Sequence, residues 1–172
     1  MHERAVTRRQ FSKSATALAV FGAFTPPSRI VQAGEVSHSA ESIRQVITLN
    51  TTSERVYRVL TDPKEFTGLM RFSSVPAAPP AEIASNVGGA FALFAGHILG
   101  RHLEMVPGVR LVQAWRVADW PPGDFSIARF ELKGQGTTTT VVLDHTGFPA
   151  GLGQHLADGW HANYWEPMKK YL

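Results

Sequence analysis

The sequence predicts an α+β fold in which a curved antiparallel sheet wraps around a long C-terminal helix. Three observations carry this prediction. Apolar residues alternate at period two from Gly88 to His145, and from Leu152 to Leu172 they return at a spacing of four. Gly- and Pro-rich turns cut the alternating region into short hairpins instead of helix-linked strands.

The elements follow in chain order. Thr7-Arg8-Arg9-Gln10-Phe11 leads into an uncharged stretch, Ser14 to Phe24, and then to Pro26, Pro27 and Val31-Gln32-Ala33. Eleven helical residues would span only about 16 Å, roughly half of a bilayer's hydrocarbon layer, so no permanent membrane span is expected. Basic, apolar and small-residue regions in this order resemble a twin-arginine export signal over residues 1–33, cut after Ala33, with Ser12 where Leu is usual. The twin-arginine translocase is then a partner during export, and the location is periplasmic or secreted.

This segment decides how the charge is read. The chain of 172 residues has 17 Lys+Arg against 14 Asp+Glu, a net charge of +3. Taking away Arg4, Arg8, Arg9, Lys13, Arg29 and Glu3 leaves 12 basic and 13 acidic residues, and no basic run survives. Nucleic acid is excluded as a partner because phosphate binding needs clustered positive charge. The absence of cysteine removes disulfides, thiolate metal sites and a cysteine nucleophile.

A polar spacer, residues 34–42, precedes the domain at 43–172. Ile43 to Leu49, with β-branched Val46 and Ile47, reads as the first strand. Thr52 or Ser53 caps a helix carrying Val56, Val59 and Leu60, and Asp62-Pro63 ends it. A second short helix starts at Pro63 with Phe66 and Met70, and Pro76 to Pro80 forms a loop or an edge. In the meander, Phe91 and Leu93 alternate with Ala90, Ala92 and Phe94, and His97 falls in phase with Leu99, Leu103 and Met105. Pro107-Gly108 turns the chain into a strand whose Leu111, Gln113, Trp115 and Val117 share one face. Pro121 to Asp124 turns into Ser126 to Leu132, and Gly134 to Gly136 into Thr137 to His145. The final helix carries Leu152, Leu156, Trp160, Tyr164, Met168 and Leu172, with a kink expected between Asn163 and Pro167.

This order of elements resembles the helix-grip arrangement of the START-like (SRPBCC) superfamily. Thr52 to Pro63, Gly88 to Gly100, Trp115-Arg116 with Trp120-Pro121, Thr140 to Leu143, Gly147-Phe148-Pro149 and Gly159-Trp160 with Tyr164 resemble, more narrowly, the carboxy-terminal domain of the activators of the 90-kDa heat-shock-protein ATPase. The resemblance runs from about Ile43 to the end of the chain. It implies a cavity between sheet and helix that holds an apolar or amphipathic small molecule.

Candidate ligand-binding residues for that cavity are Phe66, Met70, Phe91, Gln113, Trp115, Trp120, Phe130, Trp160 and Tyr164, each of which would equally serve plain core packing. Gln113 stands out because an amide on an inward face needs a partner. Three function classes stay open. The leading one is a carrier that binds a hydrophobic molecule or lipid without chemistry. The others are a cyclase- or isomerase-type enzyme with His97, His145 or Asp144 as acid or base, and a chaperone-associated protein-binding module. No cofactor or metal is expected: His155 and His161 fall on different helix faces, and His97 and His102 on opposite strand faces.

Overall fold

The computed structural model describes residues 41–172 except Ala77, so the expected export signal, with Arg8, Arg9 and Ala33, lies outside the described residues. Strand β1, Glu41–Leu49, begins two residues ahead of the expected start. Helices α1, Ser53–Thr61, and α2, Pro63–Met70, meet at Asp62. Thr52 Oγ1 accepts the Arg55 N–H to start α1, while the Asp62 carboxylate accepts the Lys64 and Glu65 N–H groups to start α2. An extended Asp62, which the following proline favours, separates two helices that would otherwise merge.

Strands β2 (Glu82–Ile83), β3 (Ala90–Leu93), β4 (Ile98–Val106), β5 (Arg110–Val117), β6 (Ser126–Gln135) and β7 (Thr138–Phe148) complete a seven-stranded sheet with β1. Its order is β1-β7-β6-β5-β4-β3-β2, and neighbouring strands are antiparallel throughout. The α+β class and the curved sheet with its C-terminal helix are therefore as the alternation predicts. On the outer face Arg44 pairs with Asp144 at 2.5 Å, Arg110 with Glu104 at 2.6 Å, and Arg129 with Glu131.

One phase expectation needs correction. Ile98, Gly100 and His102 face inward on β4, whereas Leu103 is exposed and His97 lies in the β3–β4 turn. A bulge explains it: pairing passes from His102–Gln113 to Glu104–Val112, leaving Leu103 without a partner and bringing Met105 opposite inward-facing Leu111. A side chain at Gly100 would meet the Ala114 carbonyl and the Phe91 ring, so this inward position has to be empty.

The C-terminal helix is built in three pieces: α3 (Gly153–Trp160), a π-helical turn (His161–Trp165) and α4 (Glu166–Tyr171). The expected kink is thus a widened turn. Pro167 has no N–H to give to Asn163, and the Glu166 N–H reaches back five residues to the His161 carbonyl. The wider turn lets the adjacent rings of Tyr164 and Trp165 both become buried. Gln45 on β1 pins this region to the sheet: its Nε2–H donates to the Ala157 carbonyl at 3.0 Å and its Oε1 accepts the Trp165 indole N–H at 2.5 Å.

Candidate functional site

A cavity of about 390 Å³ opens between the helix and one flank of the sheet. Trp115 and Val117 of β5, Ile98 of β4 and Phe94 of the β3–β4 turn form one side, and Leu156, Trp160 and Tyr164 of the helix form the other. The rim is polar. Ser74, His97, His155 and Asn163 stand there, and the Asn163 Oδ1 accepts both the Ser74 N–H and its hydroxyl, tying the loop after α2 to the helix. Among the described residues no Lys, Arg, Asp or Glu lines the cavity. Such walls favour a neutral occupant, because an ion would lose its hydration without a counter-charge.

The turn bearing Phe94 is strained. Phe94 and Ala95 have φ of 51° and 59°, and Gly96 follows at 79°. Only glycine adopts this region without cost. Phe94 is held there by edge-to-face packing on Phe66 at 5.6 Å and on Tyr164 at 5.7 Å. Strain of this kind is characteristic of ligand-binding loops.

Of the nine ligand candidates, Trp115, Trp160 and Tyr164 line the cavity. Phe66, Met70, Phe91, Trp120 and Phe130 are buried outside it and act as packing. Phe66 backs Phe94 and Tyr164, Trp120 packs edge-on against Trp115, and Phe130 lies under Trp160. Gln113 is also outside, with its Nε2 3.4 Å from His102 Nδ1. Burial lowers the pKa of His102, and the nearby Ala84 backbone raises it in part.

The acid–base candidates separate in the same way. His97 is an exposed rim residue. Asp144 is on the outer face in its pair with Arg44, pointing away from the interior, so it does not serve as a cavity acid. His145 is fully buried but does not line the cavity. Trp160 Nε1–H donates to its Nδ1 at 3.0 Å, which places the ring proton on Nε2. That N–H then donates to Ser126 Oγ at 2.7 Å, and Ser126 donates onward to the Trp115 carbonyl at 2.8 Å. Burial lowers the pKa of His145 to about 4, so the ring is neutral near pH 7 and every member of the relay is satisfied. His145 thereby orients two aromatic wall residues and is already engaged at both nitrogens.

Sequence reasoning missed Ile98, Val117, His155 and Asn163 on the lining, and Ser126 and Gln45 behind it. The spacing of four had marked Leu156, but only as core. Among the described residues no group of three or more His, Asp or Glu is arranged to hold a metal ion, and no helix is long and apolar enough to cross a membrane.

A curved antiparallel sheet, a helix across it and an apolar cavity between them define a helix-grip domain of the START/SRPBCC type. The profile of the family described as "Activator of Hsp90 ATPase homolog 1-like protein" matches residues 50–172, and the chain belongs to that family. The human activator of 90 kDa heat shock protein ATPase homolog 1 is 27% identical over 123 residues, which cover 72% of this chain and 34% of the relative. The mouse homolog 2 is 28% identical with 35% of its length covered, so the chain spans about a third of these curated relatives. An HSP90 activator from Plasmodium falciparum has a similar crystal structure, with a TM-score of 0.68 and 26% identity over 75% of this chain and 94% of that one. CalU16 from Micromonospora echinospora shares the fold at a TM-score of 0.62 and 21% identity, covering 77% and 76%.

Proposed function

We propose that the domain holds a neutral, hydrophobic small molecule or lipid in this cavity without transforming it. The supporting observation is a space of about 390 Å³ with aromatic and aliphatic walls and, among the described residues, no ionisable lining group except two rim histidines and the buried Tyr164 phenol, which burial keeps neutral. An enzyme of this fold would need an acid or base directed at its substrate, whereas His145 is neutral and doubly hydrogen-bonded. The test is native mass spectrometry of the purified domain together with thermal shifts against lipid and aromatic libraries. Retained or stabilising apolar molecules are the expected result. A uniformly empty domain that no compound stabilises would overturn the proposal.

The second reading is a protein-binding module, and the family membership favours it. It predicts capture of a 90-kDa heat-shock protein in a pull-down with the purified domain. We also propose that residues 1–33 direct export by the twin-arginine route, on the strength of the Arg8-Arg9 pair and the short apolar run behind it. Replacing both arginines by lysine should hold the protein in the cytoplasm, and unchanged export would sink the idea.

A further inference from the structure

A second concavity lies between α2, the loop that follows it and α4, and it shares no lining residue with the cavity. It is an open groove of about 610 Å³. The rings of Pro63, Phe72, Pro80 and Tyr171 form its walls, and Lys64 and Arg71 are the only charged lining residues among those described. The walls are held from behind. Tyr171 donates its hydroxyl to Glu65 at 2.7 Å, and the Arg55 guanidinium stands 5.4 Å from its ring centre. Gly68 leaves the room that this ring occupies, since a Cβ there would fall 2.7 Å from the hydroxyl oxygen. Thr67 fixes the proline side, where its hydroxyl donates to the Pro63 carbonyl at 2.6 Å and accepts the Ala81 N–H at 3.0 Å. Walls formed in advance spare a ligand the cost of ordering them.

Charge and ring placement together name the chemistry of an occupant. The Glu65 carboxylate is taken up by Arg55 at 2.5 Å and by Tyr171, whereas Lys64 and Arg71 are exposed and make no ion pair among the described residues. They are seven residues apart, two helical turns, so they stand on one face about 10 Å from each other. Between them Phe72 keeps a half-exposed ring 6.4 Å from that of Tyr171, and aromatic grooves of this kind accept proline rings. A polyproline II segment repeats every three residues and about 9 Å, which matches the span between the two cations. We propose that the groove takes an acidic, proline-containing segment of a partner protein in polyproline II conformation, its carboxylates three residues apart on Lys64 and Arg71 and a proline against Phe72 and Tyr171. This is independent of what the cavity holds and gives the protein-binding reading a surface and a partner chemistry. An anionic bilayer is the weaker match, because two cations and one exposed ring fall short of the polybasic cluster that such a surface requires.

The experiment is a fluorescence-anisotropy titration of the purified protein with a labelled Glu-Pro-Pro-Glu-Pro-Pro-Glu peptide. Binding is expected, and it should weaken as salt is raised to about 0.5 M. Lys64→Glu combined with Arg71→Glu should weaken it about tenfold, and the same double variant should bind Lys-Pro-Pro-Lys-Pro-Pro-Lys more tightly than the unaltered protein does. Phe72→Ala should weaken the acidic peptide several-fold while keeping its salt dependence. All three residues are exposed, so these variants should fold with the melting temperature of the parent. No binding of the acidic peptide at millimolar concentration would overturn the proposal, as would equal binding of its alanine counterpart, Glu-Ala-Ala-Glu-Ala-Ala-Glu, or an affinity that charge reversal leaves unchanged. Binding to phosphatidylserine vesicles but not to the peptide would overturn it in favour of a membrane surface. Failure of the peptide leaves the cavity reading standing, and the chaperone pull-down tests the protein-binding reading separately.

Discussion

The two flanks of the C-terminal helix make opposite use of the same kind of side chain. Toward β6 and β7 the interior is filled: Phe130 packs against Trp160 at 5.6 Å and Trp165 at 6.4 Å, and the polar atoms of His145, Ser126 and Trp160 are all paired. Toward β4 and β5, Trp115, Trp160 and Tyr164 border an open space. Aromatic content therefore does not distinguish core from site. What separates them is whether a further side chain fills the space against the ring, as Phe130 does beneath Trp160, or leaves it open, as it is left between Trp115 of the sheet and Leu156 of the helix.

The filled flank breaks most easily. Trp165→Ala removes a fully buried ring and the indole N–H bound by Gln45, and it should cost about 3–5 kcal/mol in urea unfolding. A loss below about 1 kcal/mol would mean that the flank is not tightly packed.

Next in size is the pH dependence set by the His145 relay. The folded state keeps this ring neutral down to about pH 4, whereas an unfolded histidine takes up a proton near 6.5. Below pH 6.5 the unfolded chain binds more protons, so stability is full above 6.5 and falls by about 3 kcal/mol on the way down to pH 4. His102, also lowered by burial, adds to the loss in the same direction. Unfolding curves at a series of pH values should show this slope, and His145→Phe should flatten it while lowering stability at pH 7, because Trp160 and Ser126 lose their partner. An unchanged slope in that variant would remove His145 from the account.

The smallest effect sharpens the contrast from the open side. Gly159 lines the cavity within α3, and a Cβ placed there meets nothing within 4 Å. Gly159→Ala should therefore gain about 0.5–1 kcal/mol from helix propensity and a less flexible unfolded chain. A destabilised variant would show that this flank is less open than its geometry indicates.

Much of the architecture is legible in the residues. Thr52, Asp62-Pro63, the Pro and Gly turns and the spacing of four after Leu152 each act over a few neighbouring residues, so local sequence specifies them. The β4 phase was not legible, because the Leu103 bulge is defined by pairing with β5 and leaves no mark in β4 alone. Nor was the start of β1 at Glu41, whose carboxylate accepts the Gly151 and Gly153 N–H groups and so supplies α3 with the cap that Leu152 lacks. Of the candidate site, Trp115, Trp160 and Tyr164 could be named from pattern. His155 and Asn163 could not, because exposure at a rim has no periodic signature.

By itself, then, the sequence determined the fold class, the order of the elements and the inward face of most strands, since helix caps, turns and alternation are short-range effects. Tertiary structure decided which inward rings became wall and which became filling, and which polar atoms found partners. The contacts responsible join residues about 15 to 120 positions apart, as Trp160 joins His145 and Trp165 joins Gln45, and no local pattern encodes such a distance.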